Sequence, residues 1–194
     1  MKKIKGSILT TVMWWSVTSV ITIWSFYLFF DGRTQKAFMG VLTIVSLIVL
    51  AYWQRKTRHP FPPSFMGMIY AFIFLSVGIG TFSGGYQIPH FDDVLHFFSG
   101  CFISYGAYIL FMFIVGEDAG NNIPKTFIGL YLITFSLAIA GFWELLEFTG
   151  DRLFHFTASR GYEDTMVDMI DGLIGGTIVA IFLTKKHGEN RKKV

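Results

Sequence analysis

Six long apolar blocks constrain this chain more than any other feature of its sequence. A helix needs about 20 apolar residues to cross a hydrocarbon core about 30 Å thick, and short polar or Pro/Gly-containing connections separate the blocks. Only helices and closed barrels satisfy their backbone groups in lipid, so the pattern predicts an all-α, polytopic membrane helical bundle. The predicted spans lie near residues 7–30, 37–53, 65–82, 94–115, 127–148 and 166–183.

Composition argues against a soluble module beside these spans. Hydrophobic residues make up 53% of the 194 residues and charged residues only 15%, whereas soluble domains average about 25% charged residues. The N-terminal apolar run follows Lys2, Lys3 and Lys5 but is too long for a signal peptide, so we interpret it as the first span. We therefore expect residues 1–194 to form a single integral membrane domain.

The basic residues predict the orientation of the bundle. Most of the 16 Lys and Arg residues lie at the two termini and in the connections that would share their side of the membrane. The positive-inside rule then places both termini in the cytoplasm, and an even number of spans agrees with this. We expect a multi-pass protein of a bacterial inner membrane, with lipids as partners. The net charge of +3 is not gathered in one block, so nucleic acid is not an expected partner.

Most of the acidic residues fall near the predicted outer ends of spans four, five and six. They are Asp92, Asp93, Glu144, Glu147, Asp151, Glu163, Asp164, Asp168 and Asp171. An ionised side chain at membrane depth costs about 2.5–3.5 kcal/mol even on a lenient insertion scale, so the embedded acids should face the bundle interior. Three routes could neutralise them: protonation, an inward fold of Arg152 and Arg160, or a bound divalent metal ion.

The spacing of these acids predicts that they form stripes on three helix ends. Residues three, four or seven apart share one face of a helix. Three sets have this spacing: Asp92 with His96; Glu144 with Glu147 and Asp151; and Asp164 with Asp168 and Asp171. In the predicted topology all three stripes lie at the same depth, so the sequence predicts one buried acidic site that contains a histidine.

We assign roles within this site as hypotheses. A divalent metal would be bound by His96, Glu147, Asp164 and Asp92. Glu144 and Asp168 would be the catalytic residues, and Arg160 would bind an anionic substrate group. Carboxylates with an imidazole suit Zn, Mn or Fe, whereas carboxylates alone suit Mg or Ca. The competing interpretation is that the terminal acids are solvated or cap helices, and that His96 is an ordinary hydrogen-bonded core residue.

Three segments resemble blocks of the YjdF-like bacterial inner-membrane proteins. They are FDDVLHFFSG, GFWELLEFTGD and EDTMVDMIDGLIGG, and their patterns fall on Asp92, His96, Gly100, Trp143, Glu144, Glu147, Asp164, Thr165, Asp168 and Gly175. The resemblance covers about residues 90–180 and extends more distantly to the VanZ-like family, which is associated with glycopeptide resistance. The chain departs from the VanZ-like pattern at Gly172, where an Asn or Asp is expected. The resemblance implies an inner-membrane protein without a settled activity.

Three classes of function fit these observations. The first is a metal-dependent membrane hydrolase or transferase that acts on a lipid or envelope precursor. The second is an ion or proton carrier, because intramembrane acids often mark such paths. The third is a non-catalytic binding or assembly protein in which the acids hold a partner or a stabilising ion. The sequence does not predict the oligomeric state.

Overall fold

The structure, a computed structural model, describes residues 8–57, 59–155 and 158–191, and over these ranges it contains helices and no strand. Its long helices are α1 (Ile8–Phe30), α2 (Thr34–Lys56), α3 (Pro63–Ile73, continued by a π-helix at Phe74–Phe82), α4 (Phe91–Val115), α6 (Lys125–Phe154) and α7 (Tyr162–Arg191). The short helix α5 (Glu117–Asn122) lies between α4 and α6 in the sequence. A 3-10 turn at Gly85–Gln87 precedes α4. Six of the described helical segments are long and apolar enough to cross a membrane, which confirms the predicted all-α, six-span architecture.

The helices extend beyond the predicted spans at their polar ends. Helix α4 begins at Phe91 rather than near residue 94, α6 continues to Phe154 rather than 148, and α7 begins at Tyr162 rather than 166. The predicted spans stop short of Asp92, Asp151 and Asp164, where hydropathy falls, but backbone hydrogen bonding continues through these acidic turns. The acids at these ends therefore lie on helices and keep helical spacing.

The chain divides into two compact units, Met1–Phe91 and Asp92–Val194. The expectation that residues 1–194 act as one integral membrane domain stays a prediction. In the first unit α1 packs against α2, α3 and the π-helix. The buried apolar residues of this unit are Val17, Ile21, Leu28, Ala37, Leu47, Phe65, Met66, Tyr70 and Phe82. At the π-helix, the backbone N–H of Ser83 donates to the Gly78 carbonyl at 3.1 Å, five residues back.

In the second unit, α4, α6 and α7 each bury a stripe of residues that recur mostly four positions apart. The stripes are His96, Gly100 and Ser104 on α4; Ile128, Leu132, Ser136, Ala140 and Glu144 on α6; and Asp168, Gly172, Gly176 and Ala180 on α7. Each stripe has an ionisable side chain at one end and small residues beside it. Small residues at a helix contact let the backbones approach closely. The helices should therefore approach each other closely next to the ionisable groups.

Backbone contacts confirm this close approach. A Cβ atom added to Gly100 would overlap the carbonyl oxygen of Gly172, and one added to Gly175 would overlap that of Phe97. The Ser136 hydroxyl lies 3.3 Å from the Gly100 carbonyl oxygen and 3.4 Å from that of Gly172, so one α6 side chain can donate to either neighbouring helix. We call this contact between Gly100, Ser136 and Gly172 the glycine floor.

We expect the substitution Gly100→Ala to destabilise the protein, because the new methyl group meets a backbone carbonyl that cannot rotate away. Overpacking of this kind costs about 1–3 kcal/mol, which would lower the midpoint of thermal unfolding in detergent. Gly129→Ala on α6 is the control, because its Cβ would meet only Thr184 Cγ2, at 3.4 Å. Equal midpoints for the two variants would contradict the close approach.

The orientation of the termini stays a prediction, which reporter fusions can measure. We expect a green fluorescent protein fused after Val194 to fluoresce, and alkaline phosphatase fused there to be inactive. Phosphatase inserted at Arg33, in the connection between α1 and α2, should be active because that connection would face outward. The reverse pattern of activities would show that the positive-inside rule fails for this chain.

Candidate functional site

The candidate site lies at the end of the second unit where α4 and α7 begin and α6 finishes. We call it the acidic end and define it by Asp92, His96, Glu144, Asp164 and Asp168. Three of these side chains are almost fully buried: Asp168 is 1% exposed, Glu144 6% and His96 8%. One comes from each of the three long helices, so the site depends on the packing of all three.

Asp92, His96 and Asp168 bring their potential ligand atoms together. One ligand atom from each of these residues lies within 4.8 Å of the other two. Nε2 of His96 is 3.6 Å from Oδ1 of Asp92 and 3.9 Å from Oδ2 of Asp168. Helix α4 provides the first two residues one turn apart, and α7 provides the third. These separations are longer than hydrogen bonds, so the three side chains surround a point without bonding directly to one another.

Several carboxylate oxygens at this point have no hydrogen-bond donor within the described parts of the chain. They are Oδ1 and Oδ2 of Asp168 and Oε1 of Glu144, all buried. Buried carboxylate oxygens nearly always have a donor or a cation as a partner, and leaving one without a partner costs about 1–3 kcal/mol or more. These oxygens can therefore still bind a proton or a cation.

Arg160 neutralises the outer part of the site. Its Nη2 atom pairs with Oδ2 of Asp92, and its Nε atom lies 3.4 Å from Oδ1 of Asp164. Burial by itself lowers the pKa of Arg160, but the attraction of Asp164 and Asp92 outweighs this and raises the pKa above its ordinary value. Asp92 thus directs one oxygen toward His96 and the other toward the guanidinium. The Arg160 side chain is still 45% exposed, so part of its charge faces outward.

Glu147 and Arg152 have partners outside the acidic end. Oε1 of Glu147 accepts a hydrogen bond of 2.8 Å from the Trp143 indole, and the structure does not bring Glu147 into the group formed by Asp92, His96 and Asp168. Arg152, expected as a possible counter-ion, lies over the Phe148 ring at 5.3 Å. Within the described parts of the chain, Arg160 pairs with the acids of the site and Arg152 does not.

Comparison with the predicted roles shows what the sequence did not reveal. Asp168, assigned as catalytic, lies in the same group as two of the predicted ligands, His96 and Asp92. Asp164, assigned as a ligand, pairs with Arg160. Sequence spacing placed Asp164 and Asp168 on one face, but it could not tell which of them points toward α4. The roles of all these residues stay predictions.

Two further polar contacts had no assigned role in the sequence. The Asp151 carboxylate accepts backbone hydrogen bonds from Ala158 at 2.9 Å and Ser159 at 3.1 Å. At the other end of the unit, buried His187 lies 3.1 Å from the Ile123 carbonyl oxygen through Nε2 and 3.4 Å from the Tyr108 hydroxyl through Nδ1. Both ring nitrogens have partners, so His187 is a structural link between helices rather than a ligand.

We expect Asp168→Asn to stabilise the metal-free protein, because the amide removes a buried charge that has no donor. The gain should be on the order of 1–3 kcal/mol, measured as a higher midpoint of thermal unfolding after chelation. Glu163→Gln, an exposed position in the first turn of α7, is the control and should change the midpoint little. A lower midpoint for Asp168→Asn under chelation would contradict an uncompensated carboxylate.

Comparison with known proteins agrees with a membrane protein. An uncharacterized protein of Thermotoga maritima is 28% identical over 141 residues, which is 70% of this chain and 70% of the relative. No solved structure matches the chain. A family model described as "Predicted membrane protein (DUF2238)" matches residues 10–189, which includes the first three spans as well as the segments that resemble YjdF-like proteins. The chain therefore belongs to the DUF2238 family of predicted membrane proteins.

Proposed function

We propose that this protein binds a divalent metal ion through Asp92, His96 and Asp168, and uses it for hydrolysis or group transfer on a lipid or envelope precursor. The observation that carries the proposal is the Asp168 carboxylate, which is 1% exposed and has both oxygens without a donor in the described chain. A cation offsets such a carboxylate more effectively than an apolar environment can. The two other ligands already lie around the same point.

The ligand set favours a transition metal over Mg or Ca. One imidazole nitrogen with two carboxylate oxygens suits Zn, Mn or Fe, whereas Mg and Ca prefer oxygen alone. Ligand atoms bound at about 2.1 Å from an ion lie about 3–4 Å apart. The separations of 3.6 and 3.9 Å from His96 Nε2 fit this range, so binding requires only small shifts of the side chains.

Glu144 is the best-placed general base in this proposal. It is buried, comes from the third helix and has one oxygen, Oε1, without a hydrogen-bond partner among the described residues. A carboxylate in this setting can take a proton from a water molecule that attacks a phosphate or acyl group. The metal ion, when bound, would polarise that group and offset its charge.

Arg160 is the proposed contact for the anionic part of the substrate. A guanidinium presents several N–H donors in a planar fork, which suits phosphate oxygens. Nη2 and Nε are used by Asp92 and Asp164, but the side chain is 45% exposed and keeps donors for a further anion. Glu147 and Asp164 have other partners in the structure, so we leave their predicted role as ligands to be tested by single substitutions.

The chemistry and the family together favour a lipid-embedded substrate at a bacterial inner membrane. The chain belongs to a family of predicted membrane proteins, and the segments that resemble YjdF-like inner-membrane proteins carry the site residues. A carrier is less well supported, because the glycine floor closes the polar stripe below Asp168 and leaves no room for a methyl group at Gly100.

A non-catalytic, ion-stabilised protein is the second candidate. The observation in its favour is that the buried ionisable groups come from three different helices. A metal ion held among them would crosslink the bundle and stabilise the native state by mass action. This candidate shares the metal site and differs only in the role of Glu144.

Metal analysis of the purified protein tests the site. We expect about one equivalent of Zn, Mn or Fe per chain, and we expect His96→Ala and Asp168→Asn to lose at least tenfold in affinity. Glu163→Gln is the matched control and should retain the metal, because its side chain is exposed in the first turn of α7. A wild-type protein that is folded yet binds none of these ions on titration would overturn the proposal.

Glu144→Gln separates the two candidates. If Glu144 is a general base, the variant should keep its metal but lose about 10²–10⁴-fold in the rate of phosphate release from lipid phosphate esters. The same metal content with an unchanged rate, or with no activity in the wild type, would favour the ion-stabilised protein. Thermal unfolding with and without chelator then measures how much the ion stabilises the bundle.

A further inference from the structure

Asp151 occupies a position that helix stability does not explain. It lies in the last turn of α6, which ends at Phe154, where a negative charge opposes the helix dipole and costs a few tenths of a kcal/mol. The sequence placed it in the stripe with Glu144 and Glu147, with a solvated or capping acid as the competing interpretation. In the structure its two oxygens accept hydrogen bonds from the backbone N–H groups of Ala158 and Ser159, at 2.9 and 3.1 Å.

These bonds fix a short segment that contains Arg160. We call residues 158–161 the strap. The Ser159 hydroxyl accepts a hydrogen bond from the Gly161 N–H at 3.4 Å, and Gly161 has a φ of +119° that favours glycine. The strap therefore has defined bonds on the α6 side and a defined turn at its other end, immediately before α7 begins.

Arg160 then connects the strap to the two other helices of the site. Its backbone N–H donates to Oδ2 of Asp164 at 3.3 Å, and its side chain pairs with Asp164 on α7 and Asp92 on α4. A 45% exposed arginine normally samples many rotamers. Here the backbone on one side and two carboxylates on the other restrict it, so its free donors keep one direction.

We propose that Asp151 is a positioning residue: by holding the strap it orients Arg160 to bind a lipid head group that carries a phosphate ester. This inference rests on the proposed function, in which Arg160 contacts the anionic group of the substrate. It adds Asp151 as the residue that fixes the direction of the guanidinium. It also limits the class of ligand to amphiphiles that carry a phosphate group. Preorganised arginine forks bind phosphate oxygens with charge-assisted bonds, and their advantage is lost when the fork is free to turn.

A double-mutant cycle tests the proposal. The probe is dihexanoyl phosphatidic acid, titrated calorimetrically into the purified full-length protein in detergent, with inorganic phosphate as the second ligand. We expect Asp151→Ala to weaken binding of the lipid about tenfold, in line with the loss of a charge-assisted contact. In an Arg160→Ala background the same change should weaken it less than about twofold, because Asp151 acts through Arg160. Metal content should stay the same in all variants.

The controls keep the result interpretable. Asp151→Asn retains one acceptor oxygen and should lose less affinity than Asp151→Ala, and it replaces that variant if alanine prevents folding. Glu163→Gln, exposed in the first turn of α7, should not change the affinity. A loss from Asp151→Ala of equal size in both backgrounds would show a general structural effect and overturn the positioning role.

Failure of this proposal and failure of the proposed function give different results. If Arg160→Ala leaves the affinity for both ligands unchanged, the anion-binding part of the proposed function is wrong. If Arg160→Ala weakens binding and Asp151→Ala does not, the positioning role alone is wrong. Equal affinity for inorganic phosphate and for the phosphatidic acid would overturn the assignment to a lipid, whereas tighter binding of the lipid supports it.

Discussion

The energetic cost of burying carboxylates determines the organisation of the second unit. Removing a charged group from water costs several kcal/mol even after the protein relaxes, and Asp168 and Glu144 are both almost fully buried. A helix bundle offers these groups few backbone donors, because helical N–H groups are already bonded along the helix. Compensation must come from other side chains or from a cation. His96 and Arg160 are placed to provide part of it, and the unpaired oxygens show that it is incomplete among the described residues.

The parts of the fold that the sequence predicted are those that depend on local properties. Apolar length is local, so the six spans and the helical class were predictable. The helix ends were not, because hydropathy falls at Asp92 or Asp151 although the helical hydrogen bonds continue past them. The division into two units was not predicted either, since it depends on which helices pack together.

The site shows the same division between local and non-local information. The i, i+4 spacing of Asp92 and His96 was sufficient to predict that their side chains lie close together, and Nε2 of His96 lies 3.6 Å from Oδ1 of Asp92. Which acid of α7 points toward them depends on the rotation of that helix, which the backbone contact between Gly100 and Gly172 fixes. The role of Asp151 was also hidden, because its donors lie seven and eight residues later, in a connection with no helical period.

The spacing of four that runs through the stripes links the packing of the helices to the chemistry of the site. On α7 the same face carries Asp168 and then Gly172, where an added Cβ would lie only 3.1 Å from Cβ of Ala140 on α6. Each residue added to or removed from a helix rotates the remainder of that helix by about 100°. A single insertion between these two positions would therefore keep either the glycine contact or the buried carboxylate, but not both. The register of α7 therefore sets both the packing of the helices and the position of Asp168 in the site.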